Sequence, residues 1–204
     1  MKRDKEETRS LILQSAKKEF LESSYEKASV RKIAKGAGIT AGALYKHFNS
    51  KEEIFYAIVK PVYQDMMNRM EKVSAEAWNQ ISEDSIEEFA EASDKANRIM
   101  LEYLYRYFDE IQLMFNHSVG TSFENIRHDI VSKEVEGGMM LVQEFKKNGI
   151  KVKECSERKM HLMASTALAP LFEIITHVYT YEESLEYMDV IEEALNFGWK
   201  FILE

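Results

Sequence analysis

A chain of 204 residues has room for one or two small domains with a substantial core. Two prolines, eight glycines and abundant Glu, Lys, Leu, Met and Ala point to an all-α protein. A single cysteine, Cys155, excludes an internal disulfide. The start, MKRDKEETRS, lacks the apolar segment of a secretion signal, and the longest nearly apolar run, Met160–Ile175, is interrupted by His161, Pro170 and Glu173 and is too short to span a bilayer. A cytoplasmic protein with no membrane partner is expected. The net charge of −8 argues against a polyanion partner until its distribution is examined. Residues 1–60 hold 13 of the 27 Lys+Arg but 8 of the 35 Asp+Glu, a local charge of +5, and the remaining 144 residues carry −13. A basic head on an acidic body confines any nucleic-acid contact to the head.

The first predicted helix covers roughly residues 5–23. Asp4 and Glu7 are spaced as a capping box, and Ile12, Ala16 and Phe20 form the buried stripe. The stretch Ser29–Lys51 then reads as two short helices joined by a tight turn, followed by the start of another. Ser29 is placed to cap the first of these, whose stripe is Val30, Ile33, Ala34 and Ala37. Gly36 and Gly38 end it, and Thr40 caps the second, whose inward residues are Leu44 and Phe48. The outward face of the second is Ala41, Gly42, Tyr45 and Lys46. Small residues there let a helix end sink into a groove, with an aromatic hydroxyl and a cation beside it. Turn, caps and apolar spacing agree on a helix-turn-helix.

Ser50 and Glu53 open a long helix from Lys51 to about Val73, spanning roughly 35 Å, with a bend expected at Pro61. After a polar connection, Ser85 and Glu88 cap a helix reaching about Tyr107, with stripes Ile99–Tyr103–Tyr107 and Met100–Leu104–Phe108. A short helix follows at about 109–116. Thr121 and Glu124 are spaced to cap a helix running to Asn148, with Phe123, Ile126, Ile130, Val135, Val142 and Phe145 inward. Its Gly137-Gly138 pair suits close helix contact. The most apolar helix, about 156–180, and a last helix capped by Thr180 and Glu183 complete about nine helices.

At the helix-turn-helix the run VRKIAKGAGITAGALYKHFNSKEEI resembles the DNA-binding signature of the tetracycline-repressor-like (TetR) family of transcriptional regulators; the close resemblance covers roughly residues 8–60. It implies an N-terminal three-helix DNA-binding domain, residues 1–50, and a helical effector-binding and dimerisation domain, residues 51–204, linked by the long helix. It also implies a homodimer through the last two helices. In such sequences a glycine usually stands where this chain has Ser24, so strain is expected there.

Chemistry assigns Thr40, Tyr45 and Lys51 to DNA phosphates, and the resemblance adds His47. Ser29 and Val30 offer backbone amides, Arg31 and Lys46 present donors suited to guanine edges, and Ala41 and Gly42 allow close approach. Candidate effector contacts are Tyr103, Tyr107, Phe108, Met114, Phe115, Phe123, Met139, Met163 and Phe172, a methionine and aromatic set that at helical spacing is more often ordinary core, so fewer than about half are expected to line a cavity. Such a lining suits a hydrophobic or aromatic small molecule, and carboxylates such as Glu102 would suit a cation. No metal or cofactor is expected: the histidines lack paired ligand spacing and the single thiol offers no cluster. Glu173 and His177, one turn apart, are expected to pair at the surface. No nucleophile–base spacing or phosphate loop marks an enzyme. The expected function is a ligand-responsive repressor binding a palindromic operator. The alternative is a helical module whose head does not read sequence.

Overall fold

The computed structural model describes residues 4–78 and 86–202. Ten helices follow in order: α1 (Lys5–Lys27), α2 (Val30–Gly36), α3 (Ala41–Leu44), α4 (Lys51–Trp78), α5 (Ile86–Arg106), α6 (Phe108–Asn116), α7 (Ile126–Lys147), α8 (Glu157–His177), α9 (Tyr181–Glu186) and α10 (Met188–Ile202). Among the described residues there is no β-strand, only an isolated bridge at Val152. The all-α expectation holds. No described helix is long and apolar enough to cross a membrane. The chain forms two compact units, Met1–Asp65 with Tyr107–Asn125, and Met66–Arg106 with Ile126–Glu204. The first unit therefore holds more than residues 1–50: it also contains the first turns of α4, then α6 and the turn after it.

In the first unit, Ile12, Ala16 and Phe20 of α1 are fully buried together with Ile33, Leu44, Ile54 and Phe55. Asp4 caps α1 by accepting from the Lys5 N–H. Near its end α1 breaks at Ser24, whose φ of 62° and ψ of 159° lie in a region that glycine alone enters freely, at a cost of about 1–3 kcal/mol. Three bonds hold the break in place. The Tyr25 N–H donates to the His117 carbonyl (2.9 Å), Ser24 Oγ meets His117 Nδ1 (2.9 Å), and the Ala28 N–H donates to the Ser24 carbonyl (3.0 Å). Burial holds the His117 imidazole below its ordinary pKa, which favours a neutral ring in that bond.

An aromatic chain runs through the unit from Phe20 and Tyr25 to Phe55, and on to Phe123, which also meets Tyr56 and Tyr63; neighbouring centroids lie 5.3–6.4 Å apart. The expected Thr121 cap is absent because that segment is a turn. The Thr121 hydroxyl donates to the Ser118 carbonyl (2.7 Å), and Glu124 Oε2 accepts from the Gly120 N–H (3.2 Å). The helix proper begins at Ile126, and Phe123 is tucked among the rings of the first unit.

The second unit has a core of Leu101, Ile174, Met188 and Ile191. The Tyr105 hydroxyl donates toward the carbonyls of Tyr179 (2.8 Å) and Thr180 (3.1 Å), tying α5 to the connection between α8 and α9. Of the expected α5 stripes, Tyr103 and Leu104 are buried and Ile99 is exposed. The Ser85 cap lies outside the described residues. Thr180 and Glu183 form a complete capping box. The expected last helix is two, because Tyr187 (φ −103°, ψ 12°) leaves the helical region and Asp189 brings a carboxylate to the first turn of α10. α7 continues through Gly137-Gly138. A Cβ at Gly138 would lie 2.6 Å from Met160 Sδ of α8, so the close contact expected of the pair is made there.

Candidate functional site

Local forces fix the helix-turn-helix. Ser15 Oγ donates to the Ile33 carbonyl (2.9 Å), and a Cβ on Gly36 would fall 2.2 Å from Ser15 Oγ, so α1 and α2 touch at a position where any side chain would have to displace that hydroxyl. Gly38, at φ 70°, turns the chain toward α3. Thr40 caps α3 as expected: its Oγ1 accepts from the Ala43 N–H (3.1 Å), leaving its own hydroxyl proton for an outside acceptor. α3 is one turn long. Tyr45, Lys46 and His47 continue as tight turns, with the Lys46 N–H bonded to the Ala43 carbonyl and the His47 N–H to the Leu44 carbonyl.

The interior side of this motif is closed. Leu44 and Phe48 are buried. The Arg9 guanidinium lies 4.1 Å from the Phe48 ring centre and donates to the His47 carbonyl (3.2 Å), pinning the end of the turn to α1. His47 Nδ1 is buried without a hydrogen-bond partner. The outer side is open. Thr40, Gly42, Lys46 and Arg31 are exposed, Ala41 and Val30 half-buried, and Tyr45 51 % exposed. A Cβ on Gly42 would meet nothing within 4 Å. Its missing side chain is not explained by packing within the protein.

Two expected DNA contacts are engaged inside the protein. Ser29 precedes α2, but its side chain makes no cap bond, and its N–H donates to Glu19 Oε1 (3.0 Å). Glu19 is buried, and Lys32 approaches the same oxygen at 3.6 Å, so a carboxylate already sits where an amide was expected to meet phosphate. The Lys51 ammonium donates to the carbonyls of Tyr25 (2.6 Å), Glu26 (3.1 Å) and Ala28 (3.3 Å) and lies 4.5 Å from the Tyr25 ring centre. Its three protons are spent on the end of α1, where the helix dipole favours a cation. A phosphate contact would take one of them away. The sequence carried a signal for this: a lysine at the start of a helix, where cations are disfavoured, needs a partner elsewhere.

The candidate effector residues divide between the units. Tyr107, Phe108, Met114, Phe115 and Phe123 belong to the first, and Tyr103, Met139, Met163 and Phe172 to the second. Met114, Phe123, Tyr103 and Met163 are buried, and Met139 and Phe172 are half-buried. The Arg127 guanidinium lies 5.7 Å from the Phe172 ring centre and donates to Thr176 Oγ1 (2.6 Å). Glu102 is exposed. Glu173 and His177 form the expected surface pair, Oε2 to Nε2 3.0 Å. Sequence reasoning passed over Glu134 of α7, which is sunk deep enough in the second unit for burial to raise its carboxyl above the ordinary glutamate pKa.

The family model described as "Bacterial regulatory proteins, tetR family" matches residues 12–58. UidR of Escherichia coli K12, an HTH-type transcriptional regulator, is 39% identical over 59 residues, 29% of this chain and 30% of that protein. TtgR of Pseudomonas putida, also an HTH-type transcriptional regulator, is 33% identical over 63 residues, 31% of this chain and 30% of that protein. The chain thus matches about a third of the length of these curated relatives, through the helix-turn-helix segment. Along its whole length the fold is similar to that of SmeT, the repressor of the Stenotrophomonas maltophilia multidrug efflux pump SmeDEF: TM-score 0.60 at 20% identity, covering 97% of this chain and 93% of that one. SmeT has also been solved as a complex with triclosan.

Proposed function

We propose that this chain, whose residues 12–58 belong to the tetR family of bacterial regulatory proteins, is a ligand-responsive transcriptional repressor that binds a palindromic operator as a homodimer. One observation carries the reading. The helix-turn-helix is closed and fully packed behind, while its outer face presents Thr40, Gly42, Tyr45 and Lys46 to solvent with open space over the glycine. A glycine inside a helix costs up to about 1 kcal/mol against alanine, and here no internal contact requires it. Close approach of an outside backbone gives it a reason.

In this reading Thr40, Tyr45 and the amide of Val30 hold phosphates, and Arg31 and Lys46 reach base edges; among the described residues no carboxylate pairs with Arg31 or Lys46. Ser29, His47 and Lys51 hold the motif together and support these contacts from behind. Two copies would place their motifs about 34–36 Å apart, one turn of duplex. α8 and α10 are the proposed dimer surface, supported by exposed Leu162 on α8 and Val190 on α10. The effector is a small hydrophobic or aromatic molecule, in keeping with SmeT's complex with triclosan. The protein acts by binding rather than turnover, in the cytoplasm.

The test is selection of random duplexes by the purified chain, followed by gel-shift titration at rising salt. A recovered palindrome, bound with affinity that falls steeply as salt rises, is expected. Recovery of no enriched sequence would leave the head without a reading function and sink the proposal.

A further inference from the structure

Within the second unit the fold brings together two histidines that are far apart in the sequence, His128 of α7 and His161 of α8. Their ring centres lie 6.4 Å apart, with the ring planes inclined at 54°. Both residues are exposed, and among the described residues neither ring takes part in a hydrogen bond or an ion pair. The other three histidines are engaged within the chain. His117 meets Ser24 Oγ (2.9 Å), His177 pairs with Glu173 (3.0 Å), and His47 buries its Nδ1 while its carbonyl holds Arg9 (3.2 Å).

The backbone beneath the two free rings is held on both sides. Arg127, the residue before His128, donates to Thr176 Oγ1 of α8 (2.6 Å). Met160, the residue before His161, closes the space over Gly138 of α7. The helices are therefore fixed to each other close to both rings, and only exposed side chains remain free to turn. A zinc ion sits about 2.0–2.1 Å from an imidazole nitrogen, hence about 3.2 Å from the ring centre. Two such rings on one ion have centres about 6.4 Å apart when the ion lies straight between them, and about 5.2 Å at the tetrahedral angle. The observed separation stands at the upper end of that range, and a rotation of either ring closes the difference.

The donors also select the ion. Imidazole suits zinc, nickel and copper, whereas magnesium and calcium seek oxygen. No group of three or more histidine, cysteine or carboxylate side chains stands together among the described residues, so water would complete the shell. We propose that His128 and His161 form a two-histidine clamp across α7 and α8 that takes a divalent transition-metal ion of the zinc, nickel and copper class. The clamp is a property of the second unit and does not depend on the regulator reading.

The test uses the full chain, freed of metal by a chelator and titrated by calorimetry near pH 7.5 with zinc, with nickel, and with magnesium as the oxygen-seeking control. Zinc and nickel are expected to bind and magnesium not. His128→Asn and His161→Asn should each weaken binding roughly tenfold or more, and the double variant should do little worse than either, because one imidazole alone does not chelate. His177→Asn, which removes only the surface pair with Glu173, should leave binding unchanged. An ion held by both helices binds the folded unit and not the unfolded chain, so saturating zinc should raise the urea midpoint of wild type and leave that of both single variants in place. Both variants alter exposed side chains, so their metal-free midpoints should equal that of wild type. The proposal is overturned if neither zinc nor nickel binds, if binding survives either single substitution, or if zinc leaves the wild-type midpoint unmoved.

Discussion

The two units handle charge in opposite ways. In the first, each cation that turns inward meets an acceptor. Lys51 meets three carbonyls, Arg9 meets the His47 carbonyl and the Phe48 ring, and Lys17 meets Asp109 (3.1 Å) and Glu110 (2.8 Å). Burial opposes the charge on Lys17, but its hydrogen bonds to these two acids prevail and raise its pKa. In the second unit, Glu134 sits at the centre of a buried face with no described partner. A charge satisfied within the fold serves the fold. A charge left unsatisfied costs stability.

The largest test of this contrast is Phe123→Ala. Phe123 is buried against Phe55, Tyr56 and Tyr63, so truncation should cost about 3–5 kcal/mol, nearly all of it in the first unit. Both tryptophans, Trp78 and Trp199, lie in the second unit's part of the chain. Urea unfolding followed by circular dichroism should therefore begin earlier in the variant than unfolding followed by tryptophan fluorescence. Coincident shifts of both signals would mean that the units melt as one.

Next comes Lys51→Ala. It strips charge-assisted hydrogen bonds from the end of α1 and should cost about 2–3 kcal/mol, seen in the urea midpoint without any DNA present. An unchanged midpoint with weakened duplex binding would instead make Lys51 a phosphate contact, as the sequence alone suggests.

The partners of these groups show what the sequence can carry. The Thr40 cap, the Gly38 turn and the buried Leu44 and Phe48 are legible because each partner lies within a few residues. The bonds of Lys51 and Ser29 reach back 10 to 26 residues, and a local reading leaves such groups facing solvent. Thr121 and Glu124 carry the spacing of a cap, but Gly120 and the Ser118 carbonyl capture their side chains for a turn. Glu134 was invisible for a different reason. Among 35 acidic residues, one acid at the centre of an apolar stripe reads as an irregularity until its neighbours are seen to be buried.

Glu134→Gln should move stability the other way from the first two variants. Burial raises the folded-state pKa of Glu134, so the native protein holds a proton there that the unfolded chain releases above pH of about 4.3. Native stability is thus undiminished below that value and falls as pH rises from it to the folded pKa. The glutamine variant should match wild type at pH 4 and exceed it at neutral pH, in thermal melts compared across that range. A variant no more stable than wild type at neutral pH would mean that the carboxylate is well solvated, and the contrast between the units would fail.

The finest test compares one substitution at two glycines six residues apart. Gly36→Ala pushes a methyl against Ser15 and displaces its hydroxyl from the Ile33 carbonyl, for a loss of about 1–2 kcal/mol. Gly42→Ala meets open space and improves helix propensity, for a gain of about 0.5–1 kcal/mol. Under the proposed reading the second variant, although more stable, should bind the selected duplex more weakly, because its methyl stands where the DNA comes closest. A Gly42→Ala protein that is both more stable and equally tight on DNA would show that the open face over α3 is not the surface that meets the duplex. Opposite signs for stability and affinity at one residue would separate what that residue does for the fold from what it does for the partner.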